Sequence, residues 1–167
     1  ISEVHKLLAA TNGAYIATPS YRFIKYNDAI QIIDNNAEKE HIIIHVADGD
    51  LQVNNGVLHF EMKEAIALGE IKKESKYAYL DADKLEWPLL FRTWQATDYF
   101  YPLGLRKKKK LNHFLGGLKL SPAIKQKTAV LSMGDKLLWV VGQRIDDRFK
   151  ITDQTKNVLV ITWIDKH

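Results

Sequence analysis

Three short turn signals, each set between runs rich in β-branched and aromatic residues, constrain the fold of this 167-residue chain more than any other feature. Asn27-Asp28 separates YRFIKY from AIQII, Asn54-Asn55-Gly56 leads into VLHFEM, and Met133-Gly134-Asp135 separates TAVLS from KLLWVV. Asn, Asp and Gly tolerate the left-handed backbone of a tight hairpin, so each signal predicts a pair of adjacent antiparallel strands. The same preferences predict further strands at 41–47 (HIIIHVA), 77–85 (YAYLDADKL), 88–94 (PLLFRTW) and 157–164 (NVLVITWI). Helix is sparse. Ile1, Val4, Leu7 and Leu8 recur at helical spacing before Asn12-Gly13 ends the pattern. Leu111, Phe114, Leu115 and Leu118 predict one short helix, which Gly116-Gly117 keeps from extending. The sum is a β-rich α+β chain with a sandwich-like or barrel-like sheet and short helices. The polar, acid-rich stretch 34–40 reads as a linker, dividing the chain into 1–40 and a larger domain at 41–167.

This fold must hold by burial alone. The chain has 46% hydrophobic and 26% charged residues, within the globular range. With no cysteine, it can form neither a disulfide nor a thiolate zinc site. No apolar run approaches the ~18 residues of a membrane span, and the N-terminus lacks a charged-then-apolar secretion pattern. A cytoplasmic protein without a membrane partner is the expectation. The lack of an initiator Met at Ile1 favours a fragment of a longer chain.

Charge is distributed unevenly. Residues 1–84 carry 9 Lys/Arg against 13 Asp/Glu, whereas 85–167 carry 15 against 7, so a net charge of +4 conceals an acidic half and a basic half. Between Asp98 and Asp135 there is no acidic residue, yet Arg106, Lys107, Lys108, Lys109, Lys110, Lys119, Lys125 and Lys127 all lie there. Such a run attracts a polyanion. Consecutive lysines on a helix cannot all face one way, so half of Lys107 to Lys110 would meet a single phosphate backbone. The forked guanidinium of Arg106 suits a specific phosphate or base contact. Tyr99, Phe100 and Tyr101 precede the run, and strand alternation sends at least one of these rings into the core. Pro102 to Gly104 predicts a turn that exposes the basic segment. Arg144 and Arg148 flank Asp146-Asp147, which predicts local charge pairing, and both are further RNA-binding candidates. The competing reading of the lysine run is a solvated surface.

Other polar groups offer little chemistry. His41 and His45 lie in a predicted strand, where they form no compact ligand set. Asp81 and Asp83 share a predicted strand face and suit structural hydrogen bonding, since no acid, base or nucleophile completes a site around them. The phosphate loop GxxxxGK[ST], the dinucleotide GxGxxG, GxSxG and HExxH are all absent from the sequence. No catalytic, metal-binding or cofactor-binding residue is expected in this chain.

The ordered series YLDADKLEWPLLFRTWQATDYFYPLGLRKKKKLNHFLGGLKL and LLWVVGQRIDDRFKIT resembles the C-terminal domain of the tRNA(Ile)-lysidine synthetase family. The likeness covers about 77–161. It is carried most specifically by Leu80-Asp81-Ala82-Asp83, Asp98 with Pro102-Leu103-Gly104, Lys109-Lys110-Leu111 with Phe114, Trp139 with Gly142, and 144–149. YRFIKYNDAIQII looks like the end of that family's middle domain. Thr97-Asp98 stands where the family usually has Gly-Asp, and Asn112-His113 where Ser-Asp is common. The resemblance implies a fold similar to a domain of the phenylalanyl-tRNA synthetase β subunit. It also implies a parent ligase that uses ATP to activate the wobble cytidine of an isoleucine tRNA and joins lysine to it. In the family the ATP site belongs to an N-terminal domain with a Ser-Gly-Gly-x-Asp-Ser loop, and this sequence has no such loop. The implied role of this region is to grip tRNA at its acceptor stem. A free-standing RNA-binding module is the alternative, and a homodimer of the full-length protein is left open.

Overall fold

A computed structural model describes residues 2–45 and 48–166. Ile1 of the predicted first helix, and Val46 and Ala47 of the predicted strand at 41–47, lie outside those residues. The chain forms two compact units. One comprises Ile1–Lys39 with Leu115–Lys127, and the other Glu40–Phe114 with Thr128–His167.

The first unit begins with helix α1 (Glu3–Ala9), whose Ser2 Oγ accepts a hydrogen bond from the His5 N–H. A serine there satisfies one of the donors that the first helical turn leaves open. Of the predicted apolar stripe only Leu7 is buried, while Val4 and Leu8 are exposed. Strands β1 (Tyr15–Ala17), β2 (Tyr21–Tyr26) and β3 (Ala29–Asp34) follow as an antiparallel sheet in that order. The β2–β3 hairpin has the predicted loop: Tyr26 pairs with Ala29 across Asn27-Asp28, and Asn27 takes the left-handed φ of 54°.

The second unit holds the main core. Its strands are β4 (His41–Ile44), β5 (Gly49–Val53), β6 (Gly56–Glu64), β7 (Tyr77–Asp81), β8 (Leu89–Thr93), β9 (Tyr99–Phe100) and β10 (Lys109–Lys110). After helices α2 (Leu111–Gly117) and α3 (Pro122–Lys127) come β11 (Ala129–Met133), β12 (Lys136–Val140), β13 (Arg144–Ile145) and β14 (Asn157–Asp165). They form a five-stranded sheet, β13-β12-β11-β8-β4, and a four-stranded sheet, β5-β6-β14-β7. One apolar cluster joins the two, with Phe91, Leu131 and Trp139 from the first and Leu58, Leu80 and Ile161 from the second. This is the sandwich-like arrangement expected from the alternation of apolar and polar residues.

Turn chemistry matches the sequence signals. Val53 pairs with Gly56 across Asn54-Asn55, and Met133 pairs with Lys136 across Gly134-Asp135, with Gly134 at φ 58°. Gly56 also answers a packing demand, because a Cβ there would overlap the Ile164 carbonyl and the Trp163 ring.

Local boundaries differ from the sequence reading in several places, and His45 lies beyond the end of β4 at Ile44. The strand predicted at 77–85 ends at Asp81, where Asp81 accepts from the Asp83 N–H and starts a 3₁₀ turn at Ala82–Lys84. Asp83 therefore leaves the strand face it was expected to share with Asp81. The basic segment yields two helices rather than one, since Leu118 to Ser121 breaks the pattern and Pro122 opens a second helix. A proline at the first helical position has no N–H to leave unsatisfied. Lys109 and Lys110 lie in a strand, so the lysine run is not a helix face.

Trp139 is fully buried in the central cluster. Trp139→Ala should cost about 3–5 kcal/mol of stability, read from the midpoint of urea unfolding. An unchanged midpoint would contradict this packing.

Candidate nucleic-acid interface

A short ribbon carries the basic run. β9 and β10 pair antiparallel, Lys109 opposite Phe100 and Lys110 opposite Tyr99. Phe100 points into the protein, fully buried, and meets Phe114 edge-on with ring centroids 5.0 Å apart. Cross-strand partners share a face, so Lys109 lies on the Phe100 side and Lys110 on the Tyr99 side. Lys109 is accordingly half-buried, with its Nζ 5.8 Å from the Phe114 centroid, whereas Arg106, Lys107, Lys108 and Lys110 are exposed.

Buried acids anchor both ends of the ribbon. At its base, Asp98 accepts from Arg92 Nη1 and Nη2 at 2.9 and 2.8 Å and from the Gln95 N–H at 2.7 Å, while its carbonyl accepts from the Leu111 N–H. At its tip, Asp146 accepts from the Tyr101 N–H and from the Arg148 N–H, Nε and Nη2. Asp146 is completely buried. Asp147 accepts from the Gly104 N–H at 3.1 Å and gives its own N–H to the Tyr101 carbonyl. Gly104 has φ 88°, a conformation that favours glycine, and the Leu105 N–H closes the turn onto the Pro102 carbonyl. The Gly104 N–H is the main cause holding the Asp147 carboxyl below the ordinary carboxylate range, with Lys150 and Arg106 contributing.

The expected pairing around Asp146-Asp147 is thus resolved into Asp146 with Arg148 and Asp147 with Lys150. Arg144 instead lies over the Phe114 ring, 5.5 Å from its centroid. Asp146 raises the Arg148 pKa above its ordinary value, chiefly by hydrogen bonding. Lys119, Lys125 and Lys127 belong to the first unit. There the Lys119 carbonyl accepts from the Tyr26 hydroxyl, and Lys125 and Lys127 end α3, where cations complement the negative end of the helix dipole. Arg106, Lys107 to Lys110, Arg144 and Arg148 all belong to the second unit.

Sequence reasoning missed Arg92 as the partner of Asp98 and missed the common face of Tyr99 and Tyr101. The Tyr-Phe-Tyr alternation carried the second signal. The first depends on residues six apart on different segments, which no local pattern marks.

Asp83 accepts from the Lys156 and Asn157 N–H groups, and the Lys156 N–H is the main cause lowering its pKa. His41 and His45 are exposed, and among the described residues no group of three or more metal-capable side chains converges. An open cleft of about 440 Å³ beside Arg148 is lined by Lys84, Glu86, Met133, Lys136 and Phe149, among others. No described helix is long and apolar enough to cross a membrane.

The class these features define is a β-rich α+β domain, two antiparallel sheets around one core, with a short basic ribbon. Residues 87–163 match the family model described as "TilS substrate C-terminal domain". The chain is 32% identical to the tRNA(Ile)-lysidine synthase of Parabacteroides distasonis, over 97% of its own length and 37% of that protein. It is 40% identical to the tRNA(Ile)-lysidine synthase of Bacteroides thetaiotaomicron, over 54% of its length and 21% of that protein. It therefore spans about a third or less of these relatives. A solved TilS C-terminal domain shares the fold, with a TM-score of 0.65 and 16% identity over 77% of this chain and 99% of that one. An N-terminal fragment of the phenylalanyl-tRNA synthetase β subunit from Pyrococcus horikoshii aligns over 52% of this chain and 27% of that one, at a TM-score of 0.44 and 22% identity. The chain belongs to the tRNA(Ile)-lysidine synthase family, as a region of its C-terminal part.

Two measurements test the anchors. Asp98→Ala leaves the Arg92 guanidinium, whose side chain is 15% exposed, without its carboxylate partner, and should cost about 3 kcal/mol or more in chemical unfolding. Asp147 has a lowered folded pKa, so its stabilisation is complete above the ordinary value of 3.8 and is lost as pH falls through the lower folded value. The Gly104 amide resonance should therefore titrate with a midpoint below 3.8.

Proposed function

We propose that this chain is the tRNA-binding region of an ATP-dependent ligase that converts the wobble cytidine of isoleucine tRNA to lysidine in the cytoplasm. The observation that carries this reading is the anchored ribbon. Arg106, Lys107, Lys108 and Lys110 are exposed in sequence on a backbone tied to Asp98, Asp146 and Asp147. A-form RNA hides its base edges in a deep, narrow groove, so a domain distant from the modified base recognises phosphates and shape. Lys and Arg on a fixed ribbon suit that task, and the acceptor stem is the proposed target. ATP and the chemical steps are assigned to a catalytic domain carrying the Ser-Gly-Gly-x-Asp-Ser loop that this sequence lacks.

The physical role would be one of effective concentration. A weak grip on the acceptor stem and a weak hold on the anticodon, joined in one protein, reinforce each other without either being tight alone. Lys119, Lys125 and Lys127 of the first unit would add phosphate contacts, as would Arg144.

Binding of this chain to tRNA should weaken with salt at a log-log slope of about −3 to −5, corresponding to roughly four to six phosphates neutralised. Replacing Lys107 to Lys110 together by Ala should lower affinity across RNA sequences and make the slope shallower. Arg106→Lys tests whether the fork itself is used. A folded quadruple variant with wild-type affinity and slope would instead make the run a solvated surface.

A further inference from the structure

The ribbon has a second property that charge does not explain. Strand alternation puts the Tyr99 ring on the face opposite the buried Phe100, and Tyr101, just beyond β9, joins it around Arg148, with both tyrosines half-buried. That face is covered by cations. Lys108 Nζ stands 3.7 Å from the Tyr99 centroid, and the Arg148 guanidinium carbon stands 4.4 Å from the Tyr101 centroid. Lys110, the cross-strand partner of Tyr99, shares the same face.

The two cations differ in how firmly they are held. Arg148 is fixed by paired hydrogen bonds to Asp146, both 3.0 Å, yet 34% of its side chain remains exposed. It therefore extends the aromatic face as a rigid planar group. Lys108 is exposed, sits on a flexible stem, and has the ring of Tyr99 beneath its ammonium. An exposed lysine over a ring contributes about 2- to 5-fold to an equilibrium. A nucleobase stacked on an aromatic side chain contributes about 5- to 100-fold. A base would therefore displace Lys108 from Tyr99, and the released ammonium would be free to meet the phosphate of the same nucleotide.

We propose that the face formed by Tyr99, Tyr101 and Arg148 stacks an unpaired nucleotide that adjoins an RNA duplex. Tyr99 supplies the aromatic surface, Arg148 the adjoining guanidinium plane, and Lys108 and Lys110 the phosphate contacts. A blunt duplex keeps its bases paired and offers only the outer face of its terminal pair, whereas an unpaired nucleotide can turn its base onto the Tyr99 ring. The site thus distinguishes RNA with a single-stranded extension from blunt duplex. It rests on the RNA-binding reading and adds to it a preference that charge alone does not produce.

The test compares two loop-free, two-stranded RNA duplexes for binding to the 167-residue chain. One is blunt at both ends, and the other carries a short unpaired 3′ extension containing 2-aminopurine. The wild type should bind the extended duplex at least about fivefold more tightly and should quench the 2-aminopurine fluorescence. Tyr99→Leu, with the fold checked by circular dichroism, should keep the affinity for the blunt duplex and lose both the preference and the quenching. Tyr99→Phe should retain both. Equal wild-type affinity for the two duplexes overturns the proposal while leaving phosphate binding intact, as does a folded Tyr99→Leu that weakens both duplexes alike. Failure of both duplexes to bind removes the RNA-binding reading together with this one.

Discussion

The Asp146 carboxylate is the constraint on which the presentation of the basic ribbon depends. It is completely buried, and a buried charge is tolerated only where hydrogen bonds replace water. Four donors do so, from Tyr101 and Arg148. Those bonds tie the chain entering the ribbon to the segment around β13, and Asp147 extends the tie to Gly104. Five consecutive cations repel one another and favour an extended, mobile chain. Two buried acids at the tip and base oppose that tendency, so the acid-free stretch of sequence is held by carboxylates that lie outside it.

Much of the fold was legible because its signals are local. The loops at Asn27-Asp28, Asn54-Asn55 and Gly134-Asp135 fall where the sequence put them, since turn residues act over four positions. Burial of one ring among Tyr99, Phe100 and Tyr101 followed from alternation, and the buried ring is Phe100. What local pattern could not supply was pairing at a distance. The strand character of Lys109-Lys110 comes from β9, ten residues earlier, and overrides the low strand preference of lysine. The exposure of Val4 and Leu8 arises because α1 packs through Leu7 alone.

The candidate interface was legible as charge and not as architecture. All ten cations named from the sequence are present, but their circumstances differ. Arg148 is bonded to Asp146, Lys109 and Arg144 flank Phe114, and Lys119, Lys125 and Lys127 sit in the other compact unit. Identical residue types thus have unequal freedom to meet a ligand. The run that looks uniform in one dimension has two sides once it is folded.

The composition of the first unit has a consequence for how such a chain can be divided. The chain passes between the units at 39/40, 114/115 and 127/128, so neither unit is a continuous piece of sequence. Within the first, Ala123 donates to Gln31 and Gln126 donates to the Asp34 carbonyl, which makes α3 a partner of β3 despite some ninety intervening residues. Cutting at the apparent linker would separate that helix from its strand. The acid-rich stretch that looks like a seam is therefore one of three crossings between the units, and a cut there leaves α3 on a piece without β3.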